Sequence, residues 1–87
     1  MKIEISKFGN ILVSRPAGKD AFLAASAYIF KEEEKEFILD FAGVDVLTPS
    51  WADEFIGGIK SKFQDVEIKF ENTSNPSVAG TLEIILA

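Results

Sequence analysis

Asp40, Thr48, Ser50, Asp53 and Glu54 all fall inside one stretch, LDFAGVDVLTPSWADEFIGG, residues 39–58. Hydroxyls and carboxylates gathered this closely admit three kinds of chemistry. Asp40, one residue before the end of an apolar run, is placed to act as a base or a ligand. Asp40, Asp45, Asp53 and Glu54 together are the hard oxygen donors a magnesium ion prefers. Ser50, at the start of a helical pattern, is placed to carry a phosphoryl group, because helix amino termini accept negative charge. Each has a plainer counterpart. A strand-end carboxylate commonly caps the amides of the next loop, and no spacing here matches a known ion loop, so no metal site is expected. Ser50 with Asp53 three residues later reads as a capping box that starts a helix, and Thr48 with Pro49 as a second cap with proline at N1.

What is missing narrows the chemistry further. The chain has no cysteine and no histidine. Thiolate nucleophiles, disulfides, zinc–thiolate sites and imidazole acid–base catalysis are therefore excluded. "AGKD", residues 17–20, carries the Gly-Lys pair of a phosphate loop without its earlier glycine or its following Ser/Thr, and is dismissed as such a site. Nine basic against fourteen acidic residues leave a net charge of −5 in 87 residues. An acidic surface repels phosphate backbones, and Arg15 is the sole arginine, so nucleic acid is not an expected partner. No segment reaches the ~18 apolar residues of a membrane span, and the first ten residues lack the apolar run of a signal peptide. The expectation is a cytoplasmic protein with no membrane partner.

These residues need elements to hold them. KIEIS alternates as a half-buried strand, and Gly9-Asn10 before NILVSR predicts a hairpin. From Lys19 a helical stripe of Phe22, Ala25, Ile29 and Phe30 begins, with KEEEKE, residues 31–36, as its solvated end and turn. FILDF is nearly all apolar, the mark of a strand covered on both faces. Ala52, Phe55, Ile56, Ile59 and Phe63 define an amphipathic helix after the Thr-Pro-Ser corner, and Gly57 and Gly58 inside it read as close-packing positions. Trp51, at its start, is weighed between corner packing and an exposed interface anchor. VEIKF alternates as a strand. Asn75 before Pro76 favours a final helix over a strand for the tail. The order β-β-α-β-α-β-α predicts one α/β domain over residues 1–87: a small four-stranded, mostly parallel sheet with FILDF central and three helices.

With those elements in place, FILDFAGVDVLTPSWADEFIGGI resembles the central strand, loop and helix of the STAS superfamily, typified by bacterial anti-sigma factor antagonists. It is closer to a STAS-like family of unknown function whose members read roughly LDFxGVxxISxSFADE. Leu39, Asp40, Phe41, Gly43, Val44, Ser50, Ala52, Asp53 and Glu54 fit that pattern, with Trp51 in its phenylalanine position. The resemblance implies a STAS-like fold and a non-catalytic protein–protein interaction module in bacterial signalling. Its implied partner is a histidine-kinase-like ATPase, and no cofactor is implied. The implied partner-binding residues are Thr48, Ser50, Trp51, Asp53 and Glu54. In the antagonists a partner kinase phosphorylates a serine in this loop. Laid on without gaps, that serine falls on Pro49 and the following one on Ser50, so Ser50 becomes the candidate phosphorylation residue only with a one-residue shift of the loop. The competing reading is a small-ligand-binding or enzymatic α/β domain that uses the strand-end carboxylates Asp40 and Asp53.

Overall fold

The first departure from the sequence reading lies at the amino terminus, where Gly9-Asn10 does not close a hairpin. In the computed structural model, which describes residues 1–87, strand β1 (Lys2–Glu4) gives way to a single 3-10 turn at Ile5–Phe8 before strand β2 (Ile11–Leu12). Strand β3 (Glu36–Asp40) pairs in parallel with β1, and β2 pairs in parallel with β4 (Val46–Leu47). The segment from Lys2 to Leu12 therefore runs alongside Ile38 to Leu47, and both are interrupted at the same level. Gly43 makes the facing turn with φ of 85°, and a side chain there would meet Ser6 Cβ at 3.4 Å.

The single four-stranded sheet is likewise corrected. Strand β5 (Glu67–Glu71) pairs in parallel with β3, giving a three-stranded sheet β1-β3-β5 with β3 central, and β2-β4 form a separate two-stranded sheet. FILDF holds the predicted centre but is covered on one face only. Phe37 and Leu39 are buried, while Ile38 lies on the other face beside its register partners Lys2 and Lys69. That open face is laced with charge: Lys2 pairs with Glu71 at 3.0 Å and Lys69 with Glu36 at 3.2 Å. A run of four apolar residues in five hides its one polar position, which explains the misreading.

Helix α1 spans Arg15–Tyr28, starting before the Lys19 that hydrophobic spacing indicated. Ser14 caps it by accepting the Ala17 amide, and Pro16 pre-sets the first turn. It ends sooner than expected: residues 31–35 form a loop, and Glu36 already belongs to β3. Helix α2 (Pro49–Lys62) buries the predicted stripe of Ala52, Phe55, Ile56 and Ile59, continued by Phe63. Helix α3 (Pro76–Leu86) follows Asn75, whose Oδ1 accepts the amides of Ser77 and Val78 at 2.8 and 3.2 Å.

The core is one cluster of eighteen buried residues between the helices and the sheets. Part of it is aromatic: Phe37 and Phe63 of the cluster and the partly buried Phe30 against it are in mutual contact at centroid distances of 5.1 to 5.7 Å. Helix α3 also completes β4. Leu47 donates its amide to Ser77 Oγ, Thr81 donates to the Leu47 carbonyl, and Asn75 donates to the Asp45 carbonyl. The strand edge left bare by the missing fourth strand is thus satisfied by side chains. No helix is long and apolar enough to cross a membrane.

Candidate functional site

The corner that starts α2 is built by Thr48, not by the Ser50–Asp53 capping box. Thr48 has an extended backbone and accepts the Trp51 amide on Oγ1 at 3.5 Å, with Pro49 at the first helical position. The same hydroxyl lies 3.4 Å from the Leu12 carbonyl, and the Thr48 amide donates to that carbonyl at 3.0 Å. Ser50 consequently falls inside the first turn, where its hydroxyl has no capping geometry to serve. It is left half-exposed at the helix amino terminus.

Trp51 is corner packing. Its side chain is only 2% exposed and stacks on Phe55 at 5.1 Å, with Phe8 also against it. The ring reaches no external partner directly; it fixes the turn that presents Ser50. Helix α1 presses on the same point. A methyl group at Gly18 would stand 2.5 Å from the Trp51 carbonyl oxygen and 2.9 Å from its Cα, so the two backbones approach as only glycine allows. The amino-terminal turns of α1 and α2 are therefore locked together.

That lock brings in a residue the sequence singled out only for its rarity. Arg15 donates to Asp53 Oδ2 at 3.0 Å and to Glu54 Oε1 at 3.3 Å. These bonds, the one to Asp53 foremost, hold the guanidinium even more firmly protonated than usual. Arg15, Asp53 and Glu54 all retain exposed side-chain surface. Pairs of this kind add little to stability, but they settle where charge sits. The motif SRP, with a capping serine and a proline that fixes the first helical turn, was the signal for Arg15's helix. Nothing in the sequence indicated which carboxylates it would meet.

Asp40 belongs to a different place. Its Oδ1 accepts the Asn72 side-chain amide at 2.7 Å and the Ala42 backbone amide at 3.0 Å, and its Oδ2 is 3.7 Å from the Lys2 ammonium. The hydrogen bond from Asn72, then that from Ala42 and the charge of Lys2, hold its carboxyl below the usual aspartate range. Asn72 adopts a left-handed φ of 56° just past β5, a conformation asparagine tolerates, and this turns its amide inward. Nothing in the sequence marked Asn72 as the partner of Asp40. Asp45 is engaged elsewhere again, by Asn10 at 2.9 Å. The four carboxylates weighed as a magnesium set are thus distributed over three separate networks, and no three such side chains are grouped to hold a metal.

Around the corner the surface is shallow. A depression of about 110 Å³ between α2 and α3 is bordered by Asp53, Gly57 and Lys60 with Ile56, Ile85 and Leu86. None of the depressions is lined by Asp40.

A small parallel sheet, helices folded over one face and a rigid strand–turn–helix corner define an α/β domain of STAS-like type. Residues 27–78 match the family described as a STAS-like domain of unknown function (DUF4325), and the chain belongs to that family. The matched span runs from the last turn of α1 to the first turn of α3, and so contains the whole corner. No curated protein and no solved structure gives a significant match.

Proposed function

We propose that the protein is a non-catalytic interaction module of bacterial signalling, working in the cytoplasm. Its docking surface is the corner from Thr48 to Glu54 with the exposed side of α2. The observation that carries this reading is the construction of the corner. Thr48, Pro49, buried Trp51 and the Gly18 contact fix one helical turn rigidly, while Ser50, Asp53 and Glu54 remain outside. A preorganised polar turn beside a shallow groove suits a protein surface better than a small molecule, because little ordering entropy is lost on docking. The resemblance of the Thr48–Glu54 corner to anti-sigma factor antagonists suggests a partner with the histidine-kinase-like ATPase fold, and Ser50 is the residue such a kinase would modify. The rival reading, chemistry at Asp40 and Asp53, is disfavoured by their separation into unrelated networks and by the donors that already occupy Asp40.

The test is a binding titration against the histidine-kinase-like ATPase encoded nearest the protein's own gene, using wild type and Asp53→Lys. Asp53→Lys removes the carboxylate that Arg15 holds and sets two cations side by side in the centre of the docking surface, and is expected to weaken capture at least about tenfold. Undiminished capture by Asp53→Lys, with the fold intact by circular dichroism, would remove the corner from the interface.

A further inference from the structure

We propose that the depression between α2 and α3 receives one aliphatic side chain of a partner helix, seated over Gly57, with a carboxylate of that helix on Lys60. This inference rests on the docking reading of the α2 corner and extends it along the helix. It starts from a glycine that nothing in the chain requires. A glycine in a helix interior costs about 1 kcal/mol relative to alanine. At Gly18 and Gly58 close neighbours account for it, since a methyl group would stand 2.5 Å from the Trp51 carbonyl oxygen or 2.6 Å from the Phe22 ring. A methyl group at Gly57 would meet nothing within 4 Å, so no group of this chain uses the space.

That space opens into the depression of about 110 Å³ whose apolar lining is Ile56, Ile85 and Leu86. Leu86 is 46% exposed, so the α3 wall of the groove meets solvent. The volume is far below the about 300–1,000 Å³ of a small-molecule pocket, and suits one side chain. Asp53 borders the same depression four residues before Gly57, on the same face of α2. The groove therefore continues the corner without a break, and one partner surface can cover both.

The charges at the rim fix the chemistry of the occupant. Asp53 is already answered by Arg15 at 3.0 Å. Lys60 borders the groove three residues after Gly57, is exposed, and takes part in none of the ion pairs of the fold. The uncompensated charge of the groove is thus positive, and its complement is a carboxylate beside an apolar side chain. A groove between two helices is a surface that takes the apolar face of a third. On such a helix the aliphatic residue and the acidic one stand three or four positions apart, matching Gly57 and Lys60.

The test is capture of the same histidine-kinase-like ATPase by wild type, Gly57→Leu, Gly57→Ala and Lys60→Glu. Gly57→Leu fills the depression from within and should weaken capture at least about tenfold, with a smaller loss for Gly57→Ala. Neither should melt below wild type, because Gly57 has no neighbour to displace and both replacements are better helix formers. A purely structural role for Gly57 cannot produce a firmer fold together with a weaker complex. Should Gly57→Leu fail to fold, Gly57→Ala decides. Lys60→Glu should weaken capture at least about tenfold, with Lys60→Arg binding like wild type. Full capture by the folded Gly57 variants, or by Lys60→Glu, overturns the proposal; if Asp53→Lys still weakens capture, the corner stands without the groove. Loss in Gly57→Leu and none in Asp53→Lys keeps the groove and removes the corner. A wild type that does not capture the ATPase overturns both. Self-association that Gly57→Leu abolishes also overturns the proposal, because the occupant is then a second copy of this chain.

Discussion

Thr48 and Ser50 stand two residues apart and offer the same hydroxyl group, yet only Thr48 has the extended backbone from which a side chain can reach back to a helix amide. Thr48→Ala should therefore cost about 1 kcal/mol, whereas Ser50→Ala should stay within about 0.5 kcal/mol. Urea melts of the two variants decide it, and equal losses would restore the capping box. Asp40 gives the residue scale a pH signature. Its folded pKa is lowered by the hydrogen bonds from Asn72 and Ala42 and by the charge of Lys2. It consequently contributes stability that is fully present above the unfolded value of about 4 and is lost as pH falls through the lower folded value. Asp40→Asn should flatten the decline in stability on that acid limb and leave its shape near neutrality unchanged. Thermal melts between neutral and strongly acidic pH would show it, and an unaltered acid limb would mean the network does not hold. At this scale the sequence was legible in residue type and silent on partners. It nominated Asp40 as a loop cap, which it is, but could not supply Asn72, more than thirty residues away, because side-chain pairing at that range is set by the register of β5 against β3.

The glycines of α2 show what an element's sequence does and does not reveal. Both lie in the helix interior and both read as close-packing positions. The structure separates them: a methyl group at Gly58 would meet the Phe22 ring at 2.6 Å, while one at Gly57 would find nothing within 4 Å. Gly57→Ala should thus raise stability by about 0.5–1 kcal/mol, the helix-propensity gain with no steric penalty. Gly18→Ala on α1 should instead lower it by about 1–3 kcal/mol, since the obstacle there is backbone and cannot rotate aside. Chemical denaturation of both variants checks the pair, and a stabilising Gly18→Ala would show that the two helix amino termini are not locked. The buried stripe of a long periodic segment such as α2 was legible in the sequence, while the residue that caps it was not settled there. Of the two-residue strands, β2 was read within NILVSR but as one arm of a hairpin, and β4 was missed because so short an element has no periodicity; α1 was started too late because its first turn, Arg15 to Gly18, holds no large apolar residue and is signalled only by Ser14 and Pro16.

For the whole molecule, strand direction followed from single helices between strands, which impose parallel crossovers; the break into two sheets did not, since it comes from two turns meeting in space. That break lets α3 rather than a strand complete β4, and it leaves the helix layer free to present the α2 corner. The fate of a negative charge at Ser50 depends on this arrangement. A carboxylate there gains from the helix dipole by about 0.3–1 kcal/mol. It loses by facing Asp53 and Glu54 three and four residues on, about 0.2–0.5 kcal/mol for each pair, and Arg15 already offsets the charge of both. These contributions nearly cancel, so Ser50→Asp should leave the melting temperature close to wild type. The partner meets a different balance. Its surface must accommodate the new charge beside Asp53 and Glu54 after Arg15 is committed, and like-charge juxtaposition at an interface is costly. Ser50→Asp is therefore expected to keep the fold and to reduce capture of the ATPase partner, with Ser50→Asn, similar in size but uncharged, binding like wild type. Capture by all three forms at equal strength would leave Ser50 as an ordinary first-turn residue and the corner as a constitutive docking surface. Loss of folding in Ser50→Asp would show instead that Arg15 does not shield this turn.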